Sequence, residues 1–563
     1  MAIISVDQAF QLARVYHRSG QVPLAEKLYR QVLTAQPQHV EAMHQLGLIA
    51  LASGRHEEAA QMISGAIARD PGNGTYYSEL GLVYRQLGRM DEAVGYLGRA
   101  TALSPYEHLF HLHLGETLLQ MSRFEGAIAS FRRALELRAD IPEAHNNLGT
   151  ALAQLGRWDE AMTSHRCALG WRPNFADAHN NLGIDYLETG QPAEAMTHFQ
   201  RALELQPDMI ESLLNMARAW IAQGRFEEAL APHRQAVAIR PDSAQAHHHL
   251  GHVLLLLRRY AEGWPEYEWR WLNPAAATIH RNLEAPRWHG EAAPEKSVLL
   301  HCEQGFGDAI QFLRYVPLVR ERATPERLIL ECPPGLERLL ASQGDPDLKI
   351  VSRRPGGELK LPSSYLHCPL LSLPLALGVF DPLPMAGPYL KADSVLENAW
   401  HERLGPPAFR VGLAWAGSAD HLHDHQRSIA FEKLQPLLAV ENVRFYSLQV
   451  DQGDGRAASH EKSGLVDLTA QITDFADTAA LMTHLDLIIS VDTAAAHLAG
   501  ALGRKVWTLL PFVPDWRWGL EREDTPWYPT MRLFRQPAVG DWEAVIRRVA
   551  EELPSAARSK TAG

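Results

Sequence analysis

Residues 39–71 read HVEAMHQLGLIALASGRHEEAAQMISGAIARDP, and variants of this stretch recur through the N-terminal half of the chain. Three residue types return there at intervals of 34 residues or twice 34. The series are Gly20, Gly54, Gly88, Gly156, Gly190 and Gly224 with Ser122 in the gap; Ala25, Ala59, Ala93, Ala127, Ala161, Ala195 and Ala229; and Pro37, Pro71, Pro105, Pro173, Pro207 and Pro241. Three series that share one spacing indicate an internal repeat.

Each repeat carries the signals of two helices joined by a turn. The pair Leu46-Gly47 falls in a helical pattern, where the missing glycine side chain lets a second helix approach closely. Gly54 then ends the first helix, and Ala59 packs the returning one. Pro71 closes the repeat because proline does not continue a helix interior. The spacing therefore predicts helical hairpins.

In length, order and residue type these units resemble the tetratricopeptide repeat, with seven full units and a degenerate eighth over residues 6–273. The resemblance implies a right-handed superhelix with a concave wall for an extended partner. The sixth position of each unit is polar and faces the inner surface in related arrays. There Asn147, Asn181 and Asn215 are predicted to bind a peptide backbone. The alternative is that they bond only to neighbouring helices or water.

The eighth unit departs from the pattern after Arg258 and becomes rich in aromatic residues as far as Trp271. Few basic residues accompany these rings, which argues against a platform for stacking nucleic-acid bases. We interpret the run as a packed seam between the repeats and the next domain. Residues 274–295, which contain proline and several alanines, are predicted to form a connector.

From residue 296 the helical period stops, and short apolar strands alternate with helical segments. Strands are predicted at 297–302, 327–332, 409–415, 443–449, 485–491 and 505–510. This pattern predicts two Rossmann-like parallel-sheet domains, residues 296–405 and 406–553, followed by a flexible tail over 554–563. Ligands bind at the carboxyl ends of such strands, so two facing sheets form a cleft. The predicted fold is an all-α superhelix followed by an α/β region.

A glycine-rich turn follows the first predicted strand. It contains Gln304, Gly305, Gly307 and Asp308 and leads directly into a helix. Glycines at such a turn permit close approach of a substrate, and the carboxylate lies near the positive end of the helix. The turn lacks the third glycine of a dinucleotide fingerprint and the lysine of a P-loop. Asp308 is thus a candidate catalytic residue, or a simple helix cap.

A second candidate site follows the strand that ends at residue 491. Asp492 and Thr493 precede a helix of small residues that begins at Ala494, and His497 lies one turn inside it. Free backbone N–H groups at a helix start, beside a threonine hydroxyl, would hold a diphosphate. His497 would point back towards the same end. The alternatives are an aspartate cap and a core histidine.

These motifs resemble glycosyltransferase family 9, the ADP-heptose:lipopolysaccharide heptosyltransferases, over about residues 296–553. The similar stretches are Gly-Phe-Gly-Asp at 305–308 with Pro317, Trp-Ala-Gly-Ser at 415–418, Arg-Ser at 427–428 and Asp-Thr-Ala-Ala-Ala-His-Leu-Ala at 492–499. The resemblance implies a GT-B fold and inverting transfer without a bound metal or other cofactor. It also implies that Asp308 is the base that deprotonates the acceptor, while Asp492, Thr493 and His497 hold the sugar and phosphates of the donor.

Further donor contacts are expected near the first strand of the C-terminal domain. Trp415, Gly417 and Ser418 would shape the loop at its carboxyl end, and Gln449 follows the next strand. Arg427 is the candidate cation for the phosphates, although it could be an ordinary surface arginine.

Two other features are weaker. His421, His423 and His425 have ligand-like spacing but form one short polar loop without a distant partner, so no metal site is predicted. Trp516 and Arg517 lie in an aromatic run that could face the cleft or simply fill the space between domains. We keep Trp516 and Arg517 as cleft candidates.

The composition limits the partners and the cellular compartment that we expect for this protein. Asp and Glu exceed Lys and Arg by 66 to 54, so the net charge of −12 disfavours nucleic acid and anionic membranes as partners. The four cysteines form no C-x-x-C pair, and no signal-peptide pattern opens the chain. We therefore expect a cytoplasmic protein without a membrane span.

The main hypothesis is transfer of a sugar from a nucleoside-diphosphate sugar to a Ser or Thr hydroxyl of a protein recruited by the repeats. The layout resembles that of the O-linked N-acetylglucosamine transferases, which is an analogy of architecture. One alternative is a repeat scaffold whose transferase region is inactive. Another is a transferase that acts on a glycan or lipid-linked acceptor.

Overall fold

The computed structural model describes residues 4–273, 283–303, 305–353, 361–385, 387–418, 424–450 and 464–561. The chain forms two compact units, Met1–Ala219 and Trp220–Gly563. The division falls inside the helix Ile210–Ala222, not at the predicted end of the array near residue 273. The last part of the helical array therefore belongs to the same unit as the α/β region.

The helical hairpins predicted from the spacing and the all-helical superhelix implied by the resemblance are confirmed. Its helices are α1 Val6–Arg18, α2 Val22–Ala35, α3 Val40–Ala52, α4 His56–Ile67, α5 Gly74–Gln86, α6 Met90–Leu103, α7 His108–Gln120, α8 Phe124–Leu137, α9 Pro142–Gln154, α10 Trp158–Trp171, α11 Ala176–Glu188, α12 Pro192–Leu205, α13 Ile210–Ala222, α14 Leu230–Ile239, α15 Ala244–Leu256 and α16 Tyr260–Tyr267.

The two glycine positions of the repeat have the roles expected of them. The series that includes Gly54 adopts φ between 71° and 77°, a left-handed conformation that favours glycine at the turn between the helices. At Gly47 an added Cβ would lie 2.5 Å from Cγ1 of Ile63 on the returning helix. The missing side chain therefore allows the close contact of α3 with α4.

The N-terminal lobe of the α/β region is built on a parallel sheet in the order β3-β2-β1-β4. Its strands are β1 Ser297–His301, β2 Arg327–Cys332, β3 Leu348–Ser352 and β4 Tyr365–Pro369. Its helices are α17 Phe306–Phe312, α18 Val316–Ala323, α19 Pro334–Ala341, α20 Leu373–Leu377 and α21 Ser394–His401. The central strand β1 is buried along its whole length, in register with β2 from Ser297↔Arg327 to His301↔Glu331.

The C-terminal lobe is a second parallel sheet, in the order β6-β5-β7-β8-β9. Its strands are β5 Phe409–Ala414, β6 Val443–Ser447, β7 Leu487–Val491, β8 Val506–Leu510 and β9 Met531–Arg535. Its helices are α22 Asp424–Arg427, α23 Gln435–Leu438, α24 Phe475–Thr483, α25 Ala494–Ala501 and α26 Trp542–Thr561. A short 3-10 turn, Trp516–Trp518, follows β8. Two parallel-sheet lobes thus follow the superhelix, as the strand pattern predicts.

The end of the chain differs from expectation. Residues 554–561, predicted as a flexible tail, continue α26. Leu553 is fully buried and anchors the helix, and the alanines that follow favour the helical state. The tail prediction is therefore wrong for these residues.

Candidate active site

The turn after β1 places Asp308 in the first turn of α17, where it faces the C-terminal lobe. Its carboxylate forms an ion pair with the guanidinium of Arg517, in the Trp516–Trp518 turn. Only 19% of the Asp308 side chain is exposed. Burial raises the pKa of Asp308 above its ordinary value, and Arg517 opposes that rise. Asp308 therefore lies at the seam between the lobes and does not point into solvent.

Arg517 is held from both lobes. Its Nε donates to Oε1 of Gln311 at 2.5 Å, and its Nη1 donates to Oδ1 of Asp515 at 2.8 Å. The guanidinium also lies 4.4 Å from the ring centre of Trp516. A buried arginine with carboxylates on two sides is a fixed positive charge at the seam. Of the two cleft candidates predicted from the aromatic run, Arg517 contacts Asp308 directly, and Trp516 packs against the Arg517 guanidinium.

The β7–α25 junction brings the other predicted cluster to the same seam. Thr493 has an extended backbone and directly precedes α25, and its hydroxyl lies 2.9 Å from that of Ser490. Asp492 Oδ1 lies 3.8 Å from Nε2 of His497. Burial and the nearby Asp515 carboxylate raise the pKa of Asp492 to about 6. Ala494 is the first residue of α25, where the sequence predicts the helix to begin.

His497 lies in the core of the seam. Its Nδ1 is 2.9 Å from the hydroxyl of Tyr528, and burial lowers its pKa to about 3. An added Cβ on Gly307 would lie 2.9 Å from its Cδ2. The glycine of the N-terminal lobe thus allows the lobes to meet at a neutral imidazole. In this closed arrangement His497 has the contacts of a core residue, one of the two roles considered from the sequence.

The donor candidates near β5 divide into two groups. Trp415 is buried, and Oε1 of Gln449 accepts a hydrogen bond from the Ala416 N–H at 3.0 Å, so both side chains support the loop. Gly417 is different, since an added Cβ there would lie 2.5 Å from Nη2 of Arg427. Ser418 is half-buried at the same strand end. The donor candidates that remain partly exposed on this loop are Gly417, Ser418 and Arg427.

The positive charge of Arg427 affects the carboxylate of Asp492 at the β7–α25 junction. The Nε of Arg427 lies 3.3 Å from Oδ1 of the buried Asp424, and its positive charge lowers the pKa of Asp492, against the larger effect of burial. Three other predicted or discounted residues, Gln304, His421 and His423, lie outside the described residues.

Sequence reasoning missed two groups that complete the seam, Gln311 and Arg314, and it missed the contact that Tyr528 of the aromatic run makes with His497. Gln311 follows Asp308 by three positions and so lies on the same face of α17, a spacing that could have indicated it. Arg314 is buried and donates to the carbonyls of Gln311 and Trp527, each at 2.8 Å. Tyr528 contacts His497, and no local sequence signal predicts that contact.

In the N-terminal unit, two of the three asparagines predicted to bind a peptide donate to neighbouring repeats. Nδ2 of Asn181 donates to Oδ1 of Asn146 at 3.0 Å, and Nδ2 of Asn215 donates to Oδ1 of Asn180 at 3.1 Å. These bonds join neighbouring repeats, as the alternative reading expects. Asn147 makes no such bond within the described part of the chain.

A separate cavity of about 550 Å³ lies in the N-terminal lobe, lined by residues that include Pro317, Leu340, Gln343 and Tyr389. Asp308 does not line it. Because none of the predicted site residues lines this cavity, we place the candidate site at the seam. No described helix has the length and apolar character needed to cross a bilayer.

Parts of the chain match known families. Residues 441–523 match glycosyltransferase family 9 (heptosyltransferase), a range that includes Asp492, His497 and Arg517 but not Asp308. Residues 10–74, 44–108, 112–165, 140–208 and 174–242 match the tetratricopeptide repeat.

Parts of the chain are also similar to whole proteins. Protein FlbA of Caulobacter vibrioides is 29% identical over 334 residues, which are 54% of each chain, so this chain spans about half the length of that curated relative. The solved structure of YrrB, a tetratricopeptide repeat protein, is 23% identical and covers 33% of this chain and 95% of its own, with a TM-score of 0.30. A tetratricopeptide repeat protein from Parabacteroides merdae is 16% identical and covers 44% and 97%, with a TM-score of 0.36.

The two resemblances stated from the sequence are thus confirmed at the level of families. The lobes have the parallel-sheet architecture consistent with a GT-B glycosyltransferase. The chain carries tetratricopeptide repeats in its N-terminal region and a glycosyltransferase family 9 domain at its C-terminus.

Proposed function

We propose that this protein transfers a sugar from a nucleoside-diphosphate sugar to a Ser or Thr hydroxyl of a protein, with inversion at the sugar carbon. The observation that carries the proposal is the juxtaposition at one seam of the Asp308 carboxylate, the Arg517 guanidinium and the start of α25. These supply a base, a cation and backbone N–H groups, which are the groups that such a transfer needs.

The proposed step is a single displacement. Asp308 accepts the proton of the acceptor hydroxyl, whose oxygen forms a bond to the anomeric carbon. The bond between that carbon and the phosphate oxygen breaks, and the nucleoside diphosphate leaves with the electron pair. Arg517, Arg427 and the first N–H groups of α25 stabilise the negative charge on the leaving group. No metal or other cofactor is assigned a role.

The ion pair bears on how the site would work. Arg517 pairs with the carboxylate that must act as base. A diphosphate carries more charge than one carboxylate and offers several oxygens, so it competes effectively for the guanidinium. Donor binding would then release Asp308 for the acceptor proton. The seam is closed here, so the proposal requires the lobes or the Arg517 side chain to move when the donor enters.

The repeats supply the acceptor in this proposal. Asn147 is the member of the asparagine series whose amide is available to a peptide, since Asn181 and Asn215 already donate to neighbouring repeats. We propose that the acceptor is a protein and that the transfer takes place in the cytoplasm.

The test is a screen of purified protein against nucleoside-diphosphate sugars. The donor should raise the melting temperature and release nucleoside diphosphate when an acceptor protein is present. Sugar recovered on a glycan or lipid would favour the alternative acceptor. Stabilisation by a nucleotide sugar without any release would favour the inactive scaffold.

A further inference from the structure

The eighth repeat differs from the others at its turn. Arg258 occupies the position held by glycine in six repeats and by Ser122 in one, and it keeps the same left-handed backbone, with φ of 60°. That conformation is disfavoured for an arginine because its Cβ crowds the following carbonyl oxygen. Strained residues of this kind persist where the surrounding contacts compensate for them, often at functional sites.

Those contacts lie on the turn that carries Arg517. The Arg258 guanidinium packs against Gly519, directly after Trp516–Trp518, and an added Cβ on Gly519 would lie 2.8 Å from its Nε and Nη2 atoms. Gly519 is itself left-handed, with φ of 59°. Two unusual backbone positions, one in the repeat and one in the C-terminal lobe, therefore meet at the base of the candidate site.

A second contact of the eighth repeat reaches both lobes. Trp264 on α16 packs edge-on against Trp516, with ring centres 5.2 Å apart and an interplanar angle of 82°. Its Nε1 donates to the carbonyl of Phe380, in the N-terminal lobe, at 2.9 Å. Trp264 is almost completely buried between them. One indole thus fixes the Arg517 turn relative to the lobe that carries Asp308.

A third contact fixes the strand end that leads to Asp308. Arg270 donates to both carboxylate oxygens of Glu303, at 2.8 and 2.9 Å, and to the hydroxyl of Ser372 at 2.8 Å. The arginine and the carboxylate are both buried. An ion pair with two hydrogen bonds fixes the orientation of the guanidinium relative to the carboxylate. Loss of one partner would leave the other charge buried and uncompensated. Glu303 lies five positions before Asp308.

We propose that the eighth repeat is a positioning element of the transferase site. Through Arg258 and Trp264 it fixes the turn that carries Arg517, and through Arg270 it fixes the strand end before Asp308. The inference rests on the proposed function for its catalytic meaning, while the coupling itself is a property of the fold. Arg258, Trp264 and Arg270 act through Arg517 and Asp308 and are not themselves assigned contact with substrate.

The test compares Arg258→Gly with Ser122→Gly in the full chain. Both variants place glycine at the same repeat position, and glycine is native there in six repeats, so both should fold. Hydrogen–deuterium exchange should become about tenfold faster in residues 514–520 of Arg258→Gly and stay unchanged in Ser122→Gly. Trp264→Phe, which keeps a ring but loses the N–H, should also speed exchange there.

Activity supplies the readout that a purely structural contact would not change. With a donor found in the screen, Arg258→Gly should lower kcat about tenfold while KM for the donor changes less than twofold. Unchanged exchange in both Arg258→Gly and Trp264→Phe, or altered exchange with unaltered kcat, overturns the inference. If even the native protein releases no nucleoside diphosphate, the proposed function fails, and the exchange data alone decide whether the eighth repeat holds the turn.

Discussion

Asp308 on α17 and Arg517 in the Trp516–Trp518 turn form an ion pair between the two lobes of the α/β region, 209 positions apart in the sequence. In this pair the guanidinium occupies the carboxylate that we propose as the base. The two charges are interdependent, because the attraction between them offsets the cost of burying each one.

Asp308→Asn should reduce turnover by at least about 100-fold, because an amide cannot accept the proton of the acceptor hydroxyl. Donor binding should persist or tighten, since the amide no longer competes for Arg517. Nucleoside-diphosphate release and equilibrium binding of the donor measure the two effects. Asp347→Asn, which changes an exposed carboxylate of the same lobe, is the control. Native turnover in Asp308→Asn would remove the assignment of the base.

Gly307→Ala should destabilise the seam by about 1–3 kcal/mol, since the new Cβ would lie 2.9 Å from His497 and force the lobes apart. Gly305→Ala is the matched control, because nothing lies within 4 Å of its added Cβ. Thermal unfolding of the α/β region should separate the two variants. Equal melting temperatures would contradict the close approach of Gly307 to His497.

His497→Gln should lower stability at pH 7 because a buried ring is lost. The difference from the native protein should narrow by about 2 kcal/mol between pH 7 and pH 5. The sign follows from the folded-state pKa of about 3: the unfolded chain takes up the proton below about 6.5, so the native imidazole costs stability as the pH falls. Urea titrations at both pH values measure this. Parallel stability curves would show that the imidazole is not buried in its neutral form.

Asn181→Ala should lower the stability of the repeats by about 1–3 kcal/mol, because the buried Oδ1 of Asn146 loses its donor. Asn147→Ala should leave stability nearly unchanged and instead weaken transfer to a protein acceptor. Thermal unfolding followed by the helical circular dichroism signal, with transfer assays alongside, distinguishes the two. Equal destabilisation by both substitutions would argue against a free amide at Asn147.

Much of the repeat region follows from sequence because its signals are local. The turn glycines, such as Gly54, need a left-handed backbone, and Gly47 needs a close helix neighbour, so both appear as a spacing. Arg258 shows the limit of that reading: it keeps the left-handed conformation without the residue type, and its guanidinium packs against Gly519 of the C-terminal lobe.

The candidate site is predictable only in part. Asp308 and the Asp492–Thr493 pair lie at strand ends, which a strand pattern locates. The partner of Asp308 is not predictable in this way, since Arg517 reaches it from a different lobe through tertiary packing. For the same reason the sequence left open whether His497 was a ligand or a core residue, and the contact with Tyr528 becomes visible only in the fold.

The most direct test of the central claim is site mapping of transferred sugar. Native protein and Asp308→Asn are each incubated with the donor from the screen and with proteins of the native host, and the products are sequenced by mass spectrometry. The account predicts a sugar mass on Ser or Thr residues with the native protein and none with Asp308→Asn. Sugar found only on lipid or glycan, or equal modification by both proteins, would contradict it.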